Sequence, residues 1–115
     1  TGAVICDIVQ LPQLKALSME GTDTTDAHLR CLCSTEHLSG LNLTATKITD
    51  ASFNCLAKMK GLRYLKLSKT GVTADGLLKL SALPNLELLT ISEIPLTESQ
   101  QRKLEEALPP VKIVR

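Results

Sequence analysis

A chain of 115 residues with a formal net charge of +1 is sized for one domain and carries no field for nucleic acid or an anionic membrane surface. Its apolar stretches are too short to cross a bilayer. Apolar residues make up 43% of it but aromatics only 2%, Phe53 and Tyr64 alone, so leucine has to fill the core, as it can in stacked, near-identical layers.

In chain order, Ile5, Ile8 and Leu11 recur every three residues and predict a helix over Ala3 to Leu11. Val4, Ile5, Ile8 and Val9 give it little polar shielding. Residues 1–13 therefore read as the back half of a unit whose strand is missing, with further units expected upstream in a longer parent chain, as the start at Thr1 also suggests.

Leu14-x-x-Leu17-x-Met19 follows, its last two apolar residues on one face of a short strand because side chains alternate. Steps of 24 give Leu38, Leu41 and Leu43, then Leu62, Leu65 and Leu67, then Leu86, Leu89 and Ile91. Thr25, Thr49, Thr73 and Thr97 keep the same step, as do Leu32, Leu56, Leu80 and Leu104. A period this strict divides the chain into a partial repeat at 1–13, full repeats at 14–37, 38–61 and 62–85, and a closing repeat at 86–115. Each unit predicts strand, turn and helix. Thr22, Thr46 and Thr70 in the turns are expected to bond to the backbone of the neighbouring turn and form a ladder between units. Thr25 and Thr49 are expected to cap the helices, with Asp26 and Asp50 at the positive end of the dipole.

The last unit departs from the pattern. Ile94-Pro95 replaces the turn threonine, Thr97-x-x-Gln100 predicts a capping box, and Ser99 to Ala107 is a polar helix. Leu108-Pro-Pro-Val111-Lys-Ile113-Val114 repeats Leu83-Pro-Asn-Leu86 at an offset of 25 instead of 24 and predicts a closing edge strand.

These L-x-x-L-x-L segments resemble the leucine-rich repeat family over essentially the whole chain, and the T-x-I-T-D flavour resembles the repeats of F-box-type ubiquitin ligase receptors and of bacterial repeat proteins. The resemblance implies an α/β solenoid, a right-handed horseshoe with a parallel concave sheet and convex helices. It also implies a non-enzymatic module that binds a protein partner, possible parent roles including the recognition arm of a ubiquitin ligase adaptor. The alternative is a structural cap or oligomerisation element within a larger repeat protein.

In such a horseshoe the outward positions are Ala16, Ser18 and Glu20; Gly40, Asn42 and Thr44; Tyr64, Lys66 and Ser68; Leu88, Thr90 and Ser92. The first two rows are small. The last two pair the lone tyrosine with Leu88 beside Lys66 and Lys69, the composition of an interface anchor, so Tyr64, Lys66, Leu88, Thr90, Asn42 and Lys69 are the expected partner-binding residues. Lys58, Lys60, Arg63, Lys66 and Lys69 form a basic run that alternation scatters over different faces.

His28-x-x-Cys31-x-Cys33-x-x-x-His37 offers potential zinc ligands. Its sister units have no histidine at either position, with Val4, Ser52 and Gly76 matching His28 and Gln13, Gly61 and Asn85 matching His37, and Cys31 and Cys33 stand about 200° apart on a helix, so no metal or cofactor is expected. Cys31 and Cys55 share one repeat position, and Cys6, Cys31, Cys33 and Cys55 do not form end-capping clusters. They are expected to be reduced, in the cytoplasm or nucleus. Asn42-Leu43-Thr44 matches the glycosylation sequon, which carries meaning only in a secreted chain.

Overall fold

Each strand is three residues long and alternates outward, inward, outward, so only its central residue faces the helices. The strands are β1 (Ala16–Ser18), β2 (Gly40–Asn42), β3 (Tyr64–Lys66), β4 (Leu88–Thr90) and β5 (Lys112–Val114). They form one parallel sheet in the order β1-β2-β3-β4-β5. The computed structural model describes residues 5–8 and 10–115. Ala3, Val4 and Val9 of the expected opening helix lie outside them; its described part is α1 (Ile5–Ile8), and Leu11 beyond it is 56% exposed.

The helical side is short and largely 3₁₀. It comprises a 3₁₀ segment at His28–Ser34, another at Asp50–Ser52 leading into α2 (Phe53–Leu56), α3 (Ala74–Leu77) leading into 3₁₀ at Leu78–Ala82, and α4 (Glu98–Ala107). Apolar residues spaced by three suit this, since side chains three apart eclipse in a 3₁₀ helix. The core between sheet and helices is built of columns: Leu38, Leu62 and Leu86 are buried, as are Leu41, Leu65 and Leu89, and Leu29, Phe53 and Leu77.

The register is Ala16 to Gly40 to Tyr64 to Leu88 to Lys112, a step of 24 throughout, so the expected offset of 25 does not reach the last strand. The extra residue enters where α4 is a true α-helix. Leu108 N–H donates to Leu104 C=O four residues back, whereas Leu83 N–H donates to Leu80 C=O three back. The following loop is one residue shorter, and this redirects the bonding, with Val111 N–H donating to Leu108 C=O. The carbonyls of Lys15, Ser39 and Arg63 each accept from two successive N–H groups of the next unit, whereas that of Glu87 accepts from Lys112 alone.

The turn after each strand contains one residue in the left-handed region, again every 24: Gly21, Ala45, Lys69 and Glu93, with φ from 56 to 71°. Gly21, Ala45 and Lys69 donate their N–H groups to Thr44, Ser68 and Ser92 C=O of the next turn. That reversal sets the threonine hydroxyls differently from expectation. Thr22, Thr46 and Thr70 donate to Met19, Leu43 and Leu67 C=O of their own turns at 2.7 Å, because the left-handed residue folds the chain back over the carbonyl three residues earlier.

The side-chain link between units is made by aspartate instead. Asp26 accepts from Thr49 N–H at 2.8 Å and Thr49 Oγ1 at 2.6 Å, and from Ser52 Oγ. Asp50 accepts from Thr73 N–H at 2.7 Å and from Thr73 Oγ1. In the third unit Ala74 stands at the aspartate position. Thr97 accordingly caps its own helix, accepting from Gln100 N–H while Gln100 Oε1 accepts from Thr97 N–H. Thr49 caps as expected, accepting from Ala51 N–H, but at Thr25 the cap is His28, whose Nδ1 accepts Thr25 N–H at 3.1 Å.

Two outcomes follow. At Gly76 a Cβ would overlap the Asp50 carboxylate and the Phe53 ring, so Gly76→Ala is expected to cost about 1–3 kcal/mol, read as a lower urea midpoint. Partial burial pushes the Asp26 carboxyl up, but hydrogen bonds from Ser52 and Thr49 outweigh it and hold the group below its ordinary value. A depressed pKa gives stability that is present above the unfolded value, about 3.9, and is lost as pH falls through the folded value. Urea midpoints measured at falling pH should therefore drop more steeply in the wild type than in Asp26→Asn.

Candidate recognition surface

With the central strand residues committed to the core, two rows stand on the outer face of the sheet. One runs Ala16, Gly40, Tyr64, Leu88, Lys112; the other runs Ser18, Asn42, Lys66, Thr90, Val114. The absence of a side chain at Gly40, between alanine and tyrosine, leaves a depression of about 400 Å³. Ala16 and Gly40 floor it, Tyr64 and Lys66 wall it, and Ser18 and Asn42 form its rim. A Cβ at Gly40 would sit 3.4 Å from that of Ala16, an ordinary contact, so the space is genuine and a larger side chain can fill it.

Tyr64 is 43% exposed, and the Arg63 guanidinium lies 5.7 Å from its ring centroid while pairing with Glu87. The Asn42 amide is fixed at both ends: Nδ2 donates to Glu20 Oε1 at 2.9 Å and Oδ1 accepts from Thr44 N–H at 3.0 Å.

Of the expected binding residues, Tyr64, Lys66 and Asn42 are brought together around this depression. Leu88 and Thr90 are the register partners of Tyr64 and Lys66 on β4 but do not line it. Lys69 occupies the left-handed turn position and pairs with Glu93 at 3.3 Å. The small residues Ala16 and Gly40 had no place in the expected set; their signal was smallness itself, two consecutive outward positions without bulk beside a tyrosine. The basic run is dispersed: Lys60 Nζ donates to Ala57 and Ala82 C=O, Arg63 pairs with Glu87, Lys69 pairs with Glu93, and Lys66 stands at the depression.

The cysteines overturn the expectation of free thiols. Cys6 is bonded to Cys31 and Cys33 to Cys55, leaving no free cysteine among the described residues. The opposed directions of Cys31 and Cys33 are what permit this, since one faces the preceding helix and the other the following one. His28 serves Thr25, and no three potential ligands gather among the described residues. Among the described residues no helix is long and apolar enough to cross a membrane. No family model and no curated protein matches the chain.

Disulfides closing loops of this length contribute about 2–4 kcal/mol each, chiefly by restricting the unfolded chain. Cys55→Ser, paired with Cys33→Ser to leave no lone thiol, should lower unfolding stability by about that amount. Non-reducing peptide mapping should recover the Cys6–Cys31 and Cys33–Cys55 links.

Proposed function

We propose that the chain is a leucine-rich repeat module, a right-handed solenoid with its parallel sheet on the concave side, and that it recognises a protein partner through the depression on that sheet. The depression carries the proposal. A small-residue floor beside an exposed, rigid aromatic is the form of an anchor pocket, and Tyr64 supplies contact area at low entropic cost. Lys66 at the edge makes no ion pair among the described residues and offers its charge to a partner carboxylate. The lining residues include no carboxylate, imidazole or thiol to act as acid, base or nucleophile beside Tyr64 and Lys66, which favours binding over catalysis.

The cytoplasmic or nuclear placement rested on reduced cysteines. Two disulfides support an oxidising compartment instead and weigh against a ubiquitin ligase adaptor. The structural alternative draws its support from the first unit. There Leu14 and Leu17 are only partly buried while Leu38 and Leu41 are buried, an open sheet edge that could pack against another element, as Val111 and Ile113 also leave at the other edge.

The recognition proposal is tested by capture from cell-surface and secreted material, comparing wild type with Gly40→Leu, which fills the depression, and with Leu88→Ala, which leaves it open. Circular dichroism first confirms that all three are folded. A partner whose affinity falls roughly tenfold or more with Gly40→Leu alone supports the proposal. Equal binding by all three overturns it.

A further inference from the structure

Among Asn42, Asn54 and Asn85, only Asn42 is followed by a residue and then a threonine, Leu43-Thr44. A match of this kind inside a strand is weak by itself. Three structural observations give it weight. The paired cysteines fit an oxidising compartment, and the secretory lumen in which such sugars are added is one of these. Asn42 stands on the outer face of β2, not in the core, flanked in register by Ser18 and Lys66. The floor beside it, Ala16 and Gly40, has space for added bulk.

We propose that Asn42 is an N-linked glycosylation site and that its sugar covers the depression, so that occupancy sets access to the surface. The donor is an oligosaccharide carried on a polyprenyl pyrophosphate. The amide Nδ2 forms a bond to C1 of the first sugar, the bond from C1 to the pyrophosphate oxygen breaks, the polyprenyl pyrophosphate leaves with its electron pair, and the proton lost from Nδ2 is taken up by a base of the transferring enzyme. Nδ2 carries two hydrogens, and only one is needed for the bond to Glu20 Oε1, so the folded arrangement of Asn42 survives the substitution. Transfer takes place on the extended chain before the sheet forms. The folded position then has only to accommodate the sugar, and the glycine and alanine beside it do so. Tyr64 is the diagonal neighbour of Asn42 across the β2–β3 pair, within reach of the first sugar ring.

The chain contains one tyrosine and no tryptophan, so its intrinsic fluorescence reports on Tyr64 alone and hence on the wall of the depression. The 115-residue chain is expressed behind a secretion signal in animal cells, alongside Thr44→Ser, which keeps the sequon, and Thr44→Ala, which removes it. Enzymatic release in heavy-oxygen water should convert Asn42 to labelled aspartate in the wild type and in Thr44→Ser, and not in Thr44→Ala. Acrylamide quenching of Tyr64 should be weaker in the glycosylated protein and rise to the Thr44→Ala level after release of the sugar. An unmodified Asn42 in secreted, disulfide-bonded protein overturns the site. A modified Asn42 with unchanged quenching overturns its covering of the depression. The consequence for access rests on the proposed recognition surface, whereas occupancy and quenching are measured without a partner, so the two proposals fail separately.

Discussion

Strands of three residues cannot persist alone, and here each is held by the carbonyl and leucine columns of its neighbours in a register that steps by 24. Everything else in the molecule yields to that step. Where the last helix takes an α-turn in place of a 3₁₀ turn, the next loop shortens by one residue to restore the register, and Val111 N–H donates within its own loop, to Leu108 C=O. Where Ala74 interrupts the aspartate links, Thr97 and Gln100 satisfy each other locally and the column continues. The left-handed turn residue is kept even at Ala45, Lys69 and Glu93, where a side chain makes that backbone unfavourable by about 1 kcal/mol or more. The bond each interior turn donates to the next is the compensation.

A register that consumes the central residue of every strand leaves the flanking positions free of structural duty. Serine, asparagine, lysine and threonine follow one another in one outer row; alanine, glycine, tyrosine and leucine do so in the other. The depression arises from that freedom: a missing side chain at Gly40 costs little in a strand whose hydrogen bonds and core residue are secured from both sides.

Much of this was legible in the sequence because the columns are one-dimensional: Leu17, Leu41, Leu65 and Leu89 sit at one spacing and have one role. The parallel sheet, the register of its first four strands and their inward residues could be read that way, whereas the offset of 25 expected for β5 was absorbed by α4 and its loop. What could not be read lay in relations between units. The threonine hydroxyls of the turns bond within their own turns, because the left-handed residue before them folds the chain back over the carbonyl three residues earlier. That residue is glycine once, at Gly21, so composition hides the other three positions. The depression was missed for a related reason: attention to large, charged and aromatic side chains overlooks a site defined by the small ones.

The cysteines show the same limit most sharply. An angle of about 200° between Cys31 and Cys33 argues against a shared metal ion when the helix is considered alone. Placed between two neighbours, the same angle is what a residue pair needs to bond backward to Cys6 and forward to Cys55. The two disulfides join three successive helices of the first half, α1, the 3₁₀ segment at His28–Ser34 and α2, while the second half depends on the sheet, the core columns and the cap of α4. Both edges of the sheet are equally open, with Leu14 and Leu17 partly buried at one and Val111 and Ile113 at the other, and covalent restraint falls on the first of them alone. At that edge the helical side is tied covalently from one unit to the next, whereas at the other edge α4 is held by its capping box and by Leu104 and Leu108 in the core.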